Sequence, residues 1–182
     1  MDIFLIKTSA ADNLSSELLE QFGHKNFSNQ KKKTEHCFSY LMLDRILKEV
    51  YKVNERGIEF INGKPCLKTQ EKFFSISHSG EYILIGFSDY ECGVDIEQIK
   101  NRNYQAIAER MQFQAETPED FYKEWTKYEA EYKLGGRSKC KTVFQTFYYN
   151  YVITAVSENN QEKFEIYIQS GEKFSNLNIP SF

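Results

Sequence analysis

Apolar residues recur along this chain at two periods, and the switches between them outline the elements. Ile3 to Lys7 reads as a short strand. Asn13 to Phe22 has helical spacing through Leu14, Leu18 and Leu19, and His36 to Tyr51 is a stronger helix, with Phe38, Leu41, Met42, Ile46, Leu47 and Val50 at helical intervals. A β-rich middle follows. Ile58 to Ile61 is a strand, Asn62-Gly63 a tight turn, and Phe73 to Ser77 the next strand. Ser79-Gly80-Glu81 turns the chain into Tyr82 to Ser88, and Asp89 to Cys92 turns it again into Gly93 to Glu97. Tyr104 to Phe113 is helical. Thr117-Pro118-Glu119-Asp120 then starts a helix strongly: Thr117 can cap, Pro118 suits the first helical position, and the acids favour the positive helix end. Gly135-Gly136 ends that helix, and Thr142 to Ile168 alternates like two or three strands. The order of strand, helix, strands, helix, strands predicts an α+β fold of antiparallel sheets packed with helices. The two halves follow a similar order, which fits an internal duplication without proving one.

A chain of 182 residues suits one compact domain or two small halves sharing a core. With 41% hydrophobic residues, 15 Phe and 12 Tyr, the core can be sizeable and largely aromatic. The formal net charge of −3 argues against a non-specific nucleic-acid binder. The local run Lys31-Lys32-Lys33 is read first as a solvated surface, and alternatively as a patch for phosphate or an acidic partner. Cys37, Cys66, Cys92 and Cys140 show no C-x-x-C spacing, so a zinc knuckle or dithiol site is not expected, and reduced thiols in the cytoplasm are. The first residues are too polar for a signal peptide, and no apolar stretch is long enough to span a bilayer.

Four stretches could carry chemistry. In Gly93-Val94-Asp95-Ile96-Glu97, alternation sends Val94 and Ile96 to the core and leaves Asp95 and Glu97 on one face, about 7 Å apart at their Cα atoms. Such a pair is either a solvated strand face or a site for a cation such as Mg²⁺, which takes one or two carboxylates plus phosphate oxygens. In the helix from Pro118 to Leu134, Phe121, Trp125, Tyr128 and Tyr132 form an apolar stripe, with Glu129 and Lys133 one turn apart at its edge. Alone, Glu129 and Lys133 are an ordinary surface ion pair. In Phe74-Ser75-Ile76-Ser77-His78-Ser79-Gly80, hydroxyls and an imidazole stand where a strand becomes a turn, read first as a local turn motif and alternatively as a phosphate site. Gly63-Lys64-Pro65 is a turn, and no Walker A motif accompanies it.

Taken in order, these four stretches, the last extended to Trp125-Thr126-Lys127-Tyr128-Glu129-Ala130-Glu131-Tyr132-Lys133, resemble the 4′-phosphopantetheinyl transferase superfamily, in particular its larger, surfactin-synthetase-activating type. The match covers about residues 36 to 137. The resemblance implies one unit over 1–182, monomeric and cytoplasmic, made of two pseudo-symmetric α+β halves, about 1–92 and 93–182, with the site in the cleft between them. It implies Mg²⁺ held by Asp95, Glu97 and Glu129, and coenzyme A contacted by Lys64, Pro65, Ser77, His78 and Lys133. Glu129, Lys133 and His78 would be catalytic: Glu129 would accept the proton of a serine on an apo acyl or peptidyl carrier protein, while Lys133 and His78 would stabilise charge as 3′,5′-ADP leaves. No nucleic acid or membrane partner is expected. Two positions depart from the family pattern. Tyr128 stands where a Lys usually precedes the helix Glu, and Cys37-Phe38-Ser39-Tyr40 lacks the Arg that often grips the 3′-phosphate, leaving Lys25 or Lys31 to Lys33 as candidates. A CoA- or carrier-binding homologue impaired in turnover, a metal-dependent phosphohydrolase and a plain interaction domain stay as alternatives.

Overall fold

The computed structural model describes residues 1–13, 29–53, 57–61, 64–69, 72–101, 103–170 and 173–177. It is an α+β fold of four stacked layers. The first strand, β1 (Asp2–Lys7), sits inside a five-stranded sheet. Its antiparallel neighbour is β5 (Tyr82–Ser88), which pairs in turn with the edge strand β4 (Phe73–Ser79). On its other side β1 runs parallel to β9 (Glu165–Ser170), and β10 (Lys173–Leu177) completes that edge. A three-stranded antiparallel sheet has the order β6 (Cys92–Gln98), β8 (Tyr151–Ser157), β7 (Thr142–Tyr148). A hairpin, β2 (Ile58–Ile61) with β3 (Lys64–Leu67), stands apart from both sheets. The helices are α1 (Gln30–Glu49), α2 (Gln105–Met111) and α3 (Pro118–Leu134).

Strand alternation explains the layering. Phe4 and Ile6 of β1 join Phe74, Ile83, Ile85 and Phe87 in a core against Phe38, Leu43, Ile46 and Leu47 of α1. The alternate residues Ile3, Leu5 and Leu84 meet Val94, Ile96, Ile153 and Ala155 of the smaller sheet. That sheet turns its far face to α3, where Val152 packs with Phe121 and Tyr122, and Val156 with Ala130 and Leu134. The order is therefore α1, large sheet, small sheet, α3, with both sheets buried on two faces. Such strands carry near-continuous apolar runs, and β5 and β8 are buried along their whole lengths.

Several sequence expectations hold closely. The α3 start is a capping box: Thr117 Oγ1 accepts from Asp120 N–H, and the Asp120 carboxylate accepts from Thr117 N–H. Gly135 ends the helix at φ 106°, a left-handed value that glycine adopts without strain. Two boundaries differ. Helix α1 starts six residues before His36, at Gln30, because the Asn29 side chain accepts from Lys31 and Lys32 N–H. The lysine run is thus its first turn. Lys64–Leu67 is a strand rather than a turn, paired with β2. The Asn62-Gly63 turn and most of the helix expected over Asn13 to Phe22 lie outside the described residues, and Thr8–Asn13 forms a 3-10 turn. The last strands, β9 and β10, lie on the sheet built by residues before Cys92, so the chain crosses back after the small sheet. Among the described residues, no helix is long and apolar enough to cross a membrane.

Candidate active site

The face of β6 that meets α3 carries Gly93, Asp95 and Glu97, while Val94 and Ile96 face the large sheet, fully buried. Gly93 makes the close packing of α3 possible. A Cβ there would stand 2.0 Å from the Ala130 carbonyl oxygen and 3.0 Å from Leu134 N. With only hydrogen at that point, the helix backbone rests directly on the strand. The next strand residue on the face, Asp95, then comes within reach of the helix. Lys133 Nζ donates to Asp95 Oδ1 at 2.8 Å and to the Val94 carbonyl at 3.0 Å. Behind this contact, Thr126 and Thr154 share a hydroxyl hydrogen bond of 2.7 Å, and Gln145 Nε2 donates to Thr154 Oγ1 at 2.8 Å and to the Lys123 carbonyl at 2.9 Å. Thr154 faces Asp95 across the β6–β8 pair. This buried polar network fixes how far α3 can slide over β8.

Asp95 is 4% exposed. Its Oδ1 also accepts from Ser77 Oγ at 2.6 Å, whereas its buried Oδ2 has no partner. An unpaired buried carboxylate oxygen is costly in a folded protein. Burial pushes the Asp95 pKa above the usual aspartate value, against the opposing pull of the Lys133 ammonium and the Ser77 hydroxyl. Glu97 lies two residues further along, half-buried, and its Oε2 accepts from Ser79 Oγ at 2.8 Å. Glu129 sits one turn before Lys133 on α3. Its carboxyl is also held above the ordinary range, first by burial, then by the negative charge of Asp95, with Glu97 adding to it and Lys133 opposing. Asp95, Glu97, Glu129 and Lys133 therefore share one electrostatic neighbourhood between strand and helix. Among the described residues, no three His, Cys, Asp or Glu side chains are grouped to hold a metal ion, and Lys133 rests on Asp95.

The other candidates sit around this centre. Ser77 is buried, with its hydroxyl donating to Asp95 and accepting from Ile96 N–H. His78 is exposed at the end of β4. Lys64 pairs with Glu91 at 2.7 Å, just before β6 begins, and Pro65 faces Phe60 in the hairpin. Glu91 precedes Asp95 by four residues, about 13 Å of strand, so Lys64 and Pro65 flank the acids at one end rather than touching them. At the other end a cleft of about 680 Å³ opens beyond Glu97, lined by Lys31, Gly80, Gln98, Lys100, Tyr149 and Tyr151. Tyr128 is 41% exposed, with its ring 6.1 Å from Phe113 and 6.2 Å from Trp125, so it extends the aromatic stripe. The residues missed in the sequence are Ser79, Thr126, Gln145, Thr154 and the spacing role of Gly93. Only the repeated Ser-x-Ser-x-Ser of β4 carried a readable signal, and there the serines point inward.

No family model matches the chain. Two curated relatives do. The chain is 33% identical over 113 residues to the 4′-phosphopantetheinyl transferase psf-1 of Bacillus pumilus, a match that covers 53% of this chain and 48% of that protein. It is 35% identical over 74 residues to the 4′-phosphopantetheinyl transferase ffp of Bacillus subtilis, covering 38% of this chain and 33% of that protein. The chain thus spans at most about half the length of these relatives. Together they bear out its resemblance to the 4′-phosphopantetheinyl transferase superfamily and to the larger, surfactin-synthetase-activating type.

Proposed function

We propose that the chain transfers the 4′-phosphopantetheine group of coenzyme A to a serine of an apo acyl or peptidyl carrier protein, in the presence of Mg²⁺, releasing 3′,5′-ADP. The observation that carries this reading is the meeting of β6 and α3, which sets Asp95, Glu97, Glu129 and Lys133 in one neighbourhood, in the same motifs on which the family resemblance rests. The unpartnered Oδ2 of Asp95 suits a hard cation, and Glu97 and Glu129, which are coupled electrostatically, would have to close in to complete its shell. When bound, Mg²⁺ would neutralise charge on the pyrophosphate.

The chain's own residues divide the remaining work. Glu129 accepts the proton of the attacking serine hydroxyl, directly or through a bound water. Its pKa, raised first by burial and then by the charge of Asp95, makes it a stronger base than an exposed glutamate. Lys133 holds Asp95 in place and brings positive charge beside the transferring phosphoryl group. His78, exposed at the end of β4, can meet the leaving phosphate from the solvent side. Lys64 and Pro65 serve the adenine end of coenzyme A. The attacking serine belongs to the partner, so this chain needs no activated nucleophile of its own.

The test incubates the purified chain with coenzyme A, Mg²⁺ and an apo carrier protein and follows the carrier by intact-mass spectrometry. The expected result is gain of the phosphopantetheine arm on the active serine. One observation favours a binding homologue without turnover: Tyr128 replaces the family's usual Lys with an aromatic that packs against Trp125. That reading predicts coenzyme A binding with no mass gain, and a phosphohydrolase predicts breakdown of coenzyme A without any acceptor.

A further inference from the structure

The strands β4 and β6 are each an edge of their own sheet, and no ladder of backbone hydrogen bonds joins them. The free edge of β6 is met by side chains instead. Ser75 Oγ accepts from Val94 N–H at 3.0 Å, Ser77 Oγ from Ile96 N–H at 3.4 Å, and Ser79 Oγ from Gln98 N–H at 3.1 Å. Every second residue of one strand thus satisfies every second N–H of the other. The small side chains let the two sheets approach, and the outward N–H groups of β6, which would otherwise be buried without partners, are satisfied.

The three rungs are alike on the backbone side and unlike on the other. Ser77 Oγ–H donates to Asp95 Oδ1 at 2.6 Å, and Ser79 Oγ–H donates to Glu97 Oε2 at 2.8 Å. Ser75 has no acidic partner on β6: the residue preceding Val94 is Gly93. A hydroxyl anchored by a backbone N–H has little rotational freedom left, so its proton points one way. The carboxylate receiving that proton is fixed in turn. In Asp95 the bond takes Oδ1 and leaves Oδ2 as the open acceptor.

We infer that Ser77 and Ser79 are positioning residues, which orient Asp95 and Glu97 toward a divalent cation through the hydroxyl ladder that stitches the two sheets together. Ser75 performs the stitching alone. The inference rests on the proposed metal site, and it gives Ser77 a role through Asp95 rather than through a direct phosphate contact. It also explains why the strand carries serines at three alternate positions, when a phosphate contact at the turn would require only those near Gly80.

The test measures binding of Mn²⁺ alone to the full chain, by the electron paramagnetic resonance of free Mn²⁺, together with thermal unfolding, for Ser75→Ala, Ser77→Ala, Ser79→Ala and Asp95→Ala. All three serine variants lose one rung, so all three should unfold at a lower temperature than the unaltered protein. Only Ser77→Ala and Ser79→Ala should weaken Mn²⁺ binding, by about 10–100-fold, the range found when a ligand loses its supporting hydrogen bond. Ser79→Thr, which returns the hydroxyl at a half-buried position, should restore binding. If Ser77→Ala and Ser79→Ala bind Mn²⁺ as tightly as Ser75→Ala while Asp95→Ala does not bind, the positioning role is wrong and the metal site stands. If the unaltered chain does not bind Mn²⁺, or if Asp95→Ala binds it as tightly as the unaltered chain, the metal site is wrong and the inference goes with it.

Discussion

Replacing Gly93 with alanine puts the packing of α3 on β6 under direct strain. The added Cβ would stand 2.0 Å from the Ala130 carbonyl oxygen and 3.0 Å from Leu134 N, both helix backbone atoms that no rotamer change can move. To restore an ordinary contact, the helix must retreat by about 1.4 Å, or the strand must bend by as much. Overpacking of this kind costs about 1–3 kcal/mol of stability. The consequence for the site is larger. Lys133 reaches Asp95 at 2.8 Å, and a retreat of that size takes the pair out of hydrogen-bond range and moves Glu129 with it. Misplacement of reacting groups by about 1 Å can lower a rate by about 100-fold, or roughly 2.7 kcal/mol in the barrier. Gly93→Ala should therefore keep its near-ultraviolet circular dichroism and a cooperative urea transition, with a lower midpoint, while its rate of carrier modification at saturating coenzyme A falls by about two orders of magnitude. A variant that folds and modifies carrier within about threefold of the unaltered rate would refute the claim that close helix–strand contact builds the site.

Other expectations follow from single contacts. Lys133→Ala leaves the buried Asp95 carboxylate without its cation; stability should drop by about 1–3 kcal/mol in urea unfolding, and the transfer rate should fall as well. Thr126→Val removes one member of the buried Thr126–Thr154–Gln145 network and should cost about 1–2 kcal/mol, with no effect on the Mn²⁺ affinity of the surviving fold. Burial holds the folded pKa of Asp95 above its unfolded value, so the penalty of ionising it is absent below about pH 4 and complete once the pH has risen past the folded pKa. The stability of Asp95→Asn relative to the unaltered protein should accordingly rise between acidic and neutral pH in paired urea titrations; a constant difference would show that the folded pKa is not raised. Lys31→Glu, at the cleft beyond Glu97, should raise the KM for coenzyme A more than it lowers kcat.

Much of this architecture was legible because local chemistry and global fold agree. Thr117-Pro118 and Gly135 bracket α3 as a capping box and a left-handed cap, and strand alternation alone sends Val94 and Ile96 inward and leaves Asp95 and Glu97 together. What escaped the sequence depends on partners far along the chain. Asn29 caps α1 through a side chain that hydrophobic spacing does not register, so the spacing alone starts the helix at His36. The pairing of β9 with β1 joins residues about 160 positions apart, and nothing in either strand names the other. The inward hydrogen bonds of the β4 serines to β6 escaped as well, because a pattern of hydroxyls does not reveal which edge they will face. The contact of Lys133 with Asp95 is set by the absence of a side chain at Gly93, on a strand about 40 positions away.

The central claim is that carboxylates from β6 and α3 serve one cation. Diffraction from crystals grown with Mn²⁺ and coenzyme A, with the metal located by its anomalous signal, tests it most directly. The account predicts a single ion bound by Asp95 Oδ2 and by Glu129, with pyrophosphate oxygens completing its shell. An ion bound elsewhere, or one that touches Asp95 while Glu129 faces away, would contradict it.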